Sequence, residues 1–248
     1  FGSRCVMAQS SPGLPRLVVF GDTVVHHAAQ HEWGFVHKFG TVWNSKADVV
    51  VRGFPLGFTT AWATSVVKEI NSDLGPPPAE SLWVVWLGAS DLAELEGRSR
   101  VDLEEFFANL DKVVQILKEA ANRVVLVAPP PASTSRWDAA IASGAVSGTD
   151  AKFSFPSYER CCGYVRKVTM VGFRRSVPVL DPLLDGSGEM WSAQFSDGVH
   201  LTPEGSTQLS DQLVKLVVGH FPDWEPTTMK TLLPGFDPLR DPPGVGPK

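Results

Sequence analysis

The chain has 248 residues, 43% of them hydrophobic and 20% charged, enough to bury a sizeable core within one domain. Its net charge is −5 and its 22 Lys and Arg are scattered, a balance that favours neither nucleic acid nor an anionic membrane as partner. The longest apolar runs, such as Leu82 to Leu87 and Val124 to Ala128, are strand-sized and far short of the roughly 20 residues of a transmembrane helix.

The three cysteines, Cys5, Cys161 and Cys162, form an odd set without metal-ligand spacing, which points to an intracellular, reducing compartment. The chain opens without Met, and its first acidic residue, Asp22, follows Arg4 and Arg16. Two readings of this start stay open: a remnant of an organelle-targeting segment, mitochondrial or other, or a trimmed beginning of a cytoplasmic chain.

Residues 1–15 read as an N-terminal extension, 16–220 as the domain and 221–248 as a tail. Within the domain, short apolar runs alternate with helical patterns, the signature of βαβ units feeding a parallel sheet of about five strands. Leu17 to Phe20 is the first strand, ending on a Gly-Asp turn, and Asp48 to Arg52 is the second. Leu82 to Leu87, Arg123 to Ala128 and Val177 to Leu180 follow, and nearly unbroken apolar character suits strands covered on both faces. Leu103, Phe106, Phe107, Leu110, Val113, Val114 and Leu117 recur at helical spacing behind a capping box of Asp102 and Glu105. Pro129 to Asp150 reads as an irregular segment crossing the top of the sheet before a helix over about Tyr158 to Arg175. Thr202 as N-cap and Pro203 at the first helical position open the last helix, leaving His200 in the loop before it. The tail from Phe221 holds seven of the 20 prolines and reads as extended, not as a domain.

Hydroxyl-based ester hydrolysis needs a base for the nucleophile's proton, an orienter for that base and donors for the developing oxyanion. Thr23 on the first turn, His200 near the end and Asp197 three residues before it can supply the nucleophile, the base and the orienter. An Asp-x-x-His spacing lets one loop turn both side chains to the same face.

Gly21-Asp22-Thr23, Arg52-Gly53-Phe54 with Gly57, Gly88-Ala89-Ser90-Asp91 and Asp197-Gly198-Val199-His200 follow strands one, two and three and precede the last helix. In order and spacing they resemble the four blocks of the SGNH (GDSL) hydrolases. Phe107-Ala108-Asn109-Leu110, Pro129-Pro130-Pro131 and Leu201-Thr202-Pro203-Glu204-Gly205 are similar to the isoamyl acetate-hydrolysing branch. The resemblance implies a three-layer α/β/α flavodoxin-like fold and, in active members, a Ser-His-Asp esterase of small esters that uses neither metal nor nucleotide. It places the nucleophile at Thr23, the base and orienter at His200 and Asp197, and the oxyanion donors at Thr23, Gly57 and Ser90.

The departures from the family pattern cluster on the chemistry. Thr23 stands where the family has Ser, and its extra methyl stiffens χ1. Ser90 stands where the family has Asn, a shorter donor, and losing such a donor costs on the order of 10²–10³ in rate. Gly57 lies four residues after Gly53 where the family spacing is three, so Pro55 or Leu56 reads as an insertion that turns the Gly57 amide elsewhere.

Two expectations follow. One is a pseudoenzyme kept as a structural or binding subunit of a larger, organellar assembly, contacting partner subunits through residues 221–248. The other is an active carboxylic-ester hydrolase using Thr23 on small acyl esters. His26, His27, His31 and His37 crowd the segment after the first turn; they read as solvated or cavity-rim residues, with metal binding as the alternative for His27 and His31 on one helical face. Trp33, Trp43, Trp62, Trp83 and Trp86 read as core, Trp62 also as a pocket wall, and Trp137 as a ligand or partner contact. Arg52 reads as a structural ion pair and Asp22 as a turn support.

Overall fold

In the computed structural model, the structure describes residues 14–44, 46–75, 80–95, 100–129, 132–156, 158–182 and 194–229. The N-terminal extension before residue 14, with Cys5, and the tail from 230 lie outside them. The sheet has five strands, all parallel, in the order β2-β1-β3-β5-β7: β1 Arg16–Gly21, β2 Asp48–Gly53, β3 Ser81–Trp86, β5 Arg123–Val127 and β7 Val179–Leu180. Phe20 sits opposite Arg52 on one side and Val85 on the other.

β1, β3 and β5 are buried almost throughout, as their unbroken apolar sequences require of strands with helices on both faces. β2 is the exception. It is an edge strand of intermediate and exposed residues, with Val49 open to solvent, so its run of valines does not mark a two-sided core position.

α1 (Thr23–Gln30) and α2 (Phe35–Thr41) cross from β1 to β2, and α2 packs against the last helix, α8 (Pro203–His220). α3 (Thr60–Asp73), α5 (Leu103–Glu119) and α7 (Tyr158–Arg175) connect the remaining strands and pack side by side as a second layer. Because parallel crossovers are right-handed, reversing direction after β2 puts this second set on the opposite face. Caps punctuate the helices as the sequence demands. Asp102 accepts from Glu104 N at 2.8 Å, while Glu105 stays exposed, and Thr202 Oγ1 accepts from Gly205 N at 3.1 Å.

Three features lie outside the sequence reading. α4 (Ala89–Leu92) is a single turn after β3, β4 (Glu94–Leu95) pairs antiparallel with β6 (Phe153–Ser154), and α6 (Thr134–Ala142) occupies the irregular crossing segment. Trp62 corrects another expectation: it is 65% exposed on α3 and fills no core.

The beginning of the tail is also corrected. Trp224 is 1% exposed, its ring meets Trp43 edge to face at 6.3 Å, and its carbonyl accepts from Trp43 Nε1 at 3.0 Å. Asp223 pairs with Arg123 at 2.6 Å, and the same guanidinium lies over Phe221. Residues 221–229 therefore pack onto the body, since a Trp placed near apolar neighbours gains more from burial than a proline-rich segment gains from staying extended.

Candidate active site

In the order β2-β1-β3-β5-β7 the chain leaves β1 and its neighbour β3 in opposite directions, opening a crevice at their carboxyl ends. Gly21-Asp22-Thr23 and Gly88-Ala89-Ser90-Asp91 sit at that crevice. Thr23 is the first residue of α1, so its side chain is fixed by helical backbone, and its N–H belongs to the first turn, where amides have no partner within the helix.

The loop before α8 brings the other half. Ser196 N donates to the His200 carbonyl at 2.8 Å, and Phe195 bridges Leu201, closing a tight turn. Gly198 holds φ 91° in it, and a Cβ there would come within 2.8 Å of the Ser133 carbonyl oxygen, so the turn needs glycine. The crossing segment buttresses this loop: Ser133 N donates to Gly198 O at 3.1 Å and Arg136 to Phe195 O at 2.9 Å.

The two halves meet in one buried line of hydrogen bonds. Thr23 Oγ1 lies 2.8 Å from His200 Nε2, and His200 Nδ1 lies 2.7 Å from Asp197 Oδ2. Asp197 Oδ1 accepts from the backbone N–H of Val199 and of His200 at 2.9 and 2.8 Å. Burial raises the Asp197 carboxyl, but the bond from His200, its charge and these two amides outweigh it and hold the group below the usual carboxylate range. An ionised Asp197 accepts from Nδ1–H, leaving Nε2 with a lone pair for the Thr23 hydroxyl.

Gly57 corrects its expected direction. Phe58 N donates to the Pro55 carbonyl at 3.2 Å, closing a turn in which Gly57 takes φ 99°, the third-position geometry that a type II turn reserves for glycine. The extra residue is absorbed by this turn, and Gly57 N–H points to Ser90 Oγ at 3.2 Å. Thr23, Gly57 and Ser90 thus converge on the same crevice.

Two buried carboxylates frame that corner. Asp22 Oδ2 accepts from Gly88 N at 3.0 Å and Ser90 N at 2.9 Å, the backbone support read from the sequence. Burial pushes Asp22 up to about 6 against those bonds. Asp91 accepts from Thr60 Oγ1 at 2.6 Å and from Thr60 N, tying the loop after β3 to the start of α3, and burial lifts it to about 7 despite those bonds. Arg52 makes no ion pair among the described residues; its guanidinium donates to the Val51 carbonyl at 3.1 Å.

Of the four histidines, His37 is exposed as expected of a solvated residue, whereas His27 and His31 stack into an array behind the site. The His27 ring lies face to face on His200, centroids 4.4 Å apart and planes at 16°. His31 follows at 4.4 Å from His27, and Trp33 stacks on His31 at 4.7 Å. Burial, then the charges of His200 and His31, lower His27 to about 4, so its ring is neutral at neutral pH. Among the described residues no group of three His, Cys, Asp or Glu side chains is placed to hold a metal. Trp137 is buried, with Nε1 donating to the Phe153 carbonyl at 2.8 Å and its ring 6.2 Å from His200. The signal for His27 was present in the sequence, four residues after Thr23 and so on the same helical face, but its partner lies 173 positions further on.

No family model matches the chain. An isoamyl acetate-hydrolyzing esterase 1 homolog of Rattus norvegicus is 28% identical over 90% of this chain and 93% of its own length. The isoamyl acetate-hydrolyzing esterase of Saccharomyces cerevisiae is 22% identical over 91% of this chain and 95% of its own. Among solved structures, a GDSL-like lipase from Bacteroides thetaiotaomicron superposes with a TM-score of 0.59 at 18% identity, covering 83% of this chain and 89% of its own. An acetyl xylan esterase, AlAXEase, superposes at 0.57 with 14% identity, over 80% of this chain and 97% of its own. The structural likeness establishes the shared fold, the sequence relatives match it nearly end to end, and the four blocks fall in order along one sheet edge: the chain has the α/β fold of the GDSL-like hydrolases and is similar in sequence to esterases of the SGNH (GDSL) family.

Proposed function

We propose that this protein is a carboxylic-ester hydrolase acting on a small acyl ester with Thr23 as nucleophile. The observation that carries the reading is the unbroken buried line from Thr23 Oγ1 through His200 to Asp197, at 2.8 and 2.7 Å. In the first half-reaction Thr23 Oγ1 attacks the acyl carbon while its proton passes to His200 Nε2, and Asp197 stabilises the imidazolium through Nδ1–H. The carbonyl oxygen, now an oxyanion, takes hydrogen bonds from the amide of Thr23 and from the Ser90 hydroxyl, whose oxygen accepts from Gly57 N–H and so leaves its own proton to give. Collapse breaks the ester C–O bond, and Nε2–H protonates the leaving alkoxide. Water then enters, gives a proton to Nε2 and attacks the acyl-threonine; collapse releases the acid and returns the proton to Thr23. Relatives named for isoamyl acetate hydrolysis agree with a short acyl group as substrate.

A second reading, a catalytically silent subunit that contacts partners through the tail, is favoured by one observation: in the free site Gly57 N–H is already spent on Ser90. p-Nitrophenyl acetate turnover by the purified chain separates the two. The esterase reading expects wild type to exceed His200→Ala by about 10³ or more in kcat. Equal rates, together with no phosphonyl label on Thr23, would leave the silent subunit as the answer.

A further inference from the structure

α1 carries both Thr23 at its first position and His27 one turn later, so the two side chains leave the same face of one rigid helix. The hydroxyl of Thr23 has few rotamers available, because its methyl and the helical backbone restrict χ1. A stiff nucleophile cannot follow a base that wanders; the base has to be brought to it. Asp197 and Thr23 hold the His200 ring by its edge, at Nδ1 and Nε2, and these in-plane bonds leave the ring free to tilt about the line that joins them. The missing constraint is a surface against the ring's face, and His27 supplies it at 4.4 Å with planes 16° apart.

We infer that His27 is a positioning residue for the general base: its flat ring fixes the plane in which His200 Nε2 meets the Thr23 hydroxyl. His27 touches no reacting atom. It works because its π-face stays uncharged beside an imidazole that becomes cationic during turnover; a neutral ring attracts that cation and a charged one repels it. Burial, His200 and His31 keep it neutral, with Asp197 opposing and His26 adding on the side of neutrality. His31, tilted against His27 and stacked on Trp33, backs the arrangement from outside and stops the His27 ring from turning away. One helix therefore sets the nucleophile, the base's facing partner and the distance between them.

The kinetic consequence rests on the esterase reading; the geometric one does not, and the test separates them. The proton on His200 Nδ1, hydrogen-bonded to Asp197, is followed by its far-downfield NMR resonance, assigned by loss in His200→Ala. It is compared in wild type, His27→Ala, His27→Leu and His27→Phe, each first checked by thermal melt. The resonance is expected sharp in wild type and His27→Phe, which keeps a flat ring, and broadened or lost in His27→Ala and in His27→Leu, which keeps bulk without a flat face. With p-nitrophenyl acetate the same two losses are expected to lower kcat on the order of ten- to a hundredfold at nearly constant KM, with His27→Phe recovering most of it. A resonance equally sharp in all four chains, or absent from wild type, overturns the inference. So does His27→Phe behaving like His27→Leu, which would mean that the nitrogen atoms and not the ring face matter. If wild type shows the resonance but turns over no ester, the esterase reading falls and the NMR comparison still decides the role of His27.

Discussion

At the scale of single residues, the site joins an assembled hydrogen-bond line to a branched alcohol at Thr23 and a short hydroxyl donor at Ser90. Thr23 reaches His200 at 2.8 Å, so the methyl does not prevent the bond; its cost comes later, when the oxygen swings from imidazole to acyl carbon and the branched side chain resists. Relieving an off-rotamer strain of about 1 kcal/mol corresponds to roughly a fivefold rate gain, and Thr23→Ser is expected to raise kcat by roughly two- to tenfold on p-nitrophenyl acetate. Ser90→Asn is expected to add more, up to about 10²-fold, because an amide reaches further toward the oxyanion and no longer shares a hydroxyl with Gly57 N–H. If the double variant shows no gain over wild type, the limit lies in access to the crevice, where Thr23 and Ser90 are each 3% exposed, and not in these two groups.

At the scale of elements, short loops are locked to one another by buried carboxylates. Asp91 joins the loop after β3 to the first residue of α3, and Asp22 joins the end of β1 to that same loop. Both hold their protons more tightly folded than unfolded, so each favours the folded state fully at low pH and gives up that advantage as pH rises from about 4 to its folded value. The window runs to about 6 for Asp22 and to about 7 for Asp91. Asp91→Asn carries no such loss. Its melting temperature relative to wild type is expected to rise between pH 4 and pH 7 and then level off, measured by thermal unfolding at closely spaced pH. A constant difference across that range would show that Asp91 is ionised in the fold at acid pH.

At the scale of the whole molecule, the segment after α8 closes the base of the domain. Trp224 sits against Trp43 with its neighbours held by Arg123, itself bridged to Glu80 at 3.2 Å. Trp224→Ala empties a fully buried aromatic site and is expected to destabilise by about 3–5 kcal/mol, read as a fall in denaturant midpoint at unchanged slope. Removing residues 221–248 is expected to lower the melting temperature by at least as much. An unchanged melt would return the whole segment to the status of an appended tail. Among the described residues no helix is long and apolar enough to cross a membrane.

The sequence alone was enough for the five-stranded sheet, for helices α5, α7 and α8 and for the candidate groups at the carboxyl edge. These follow from local rules: apolar runs of strand length, the α5 stripe from Phe106 to Leu117, the caps at Asp102 and Thr202, and glycines where the chain must turn. It misjudged Val49, Trp62 and Trp224, because whether an apolar side chain is covered depends on which distant segment lies over it. It left β4 and β6 unread, since two-residue strands carry no periodicity. The direction of the Gly57 amide, the face-to-face contact of His27 with His200 and the upward shifts of the Asp22 and Asp91 carboxyls were decided only in three dimensions. Each depends on burial or on a partner tens to more than a hundred residues away, and such contacts arise when the layers close, not from the order of neighbours along the chain.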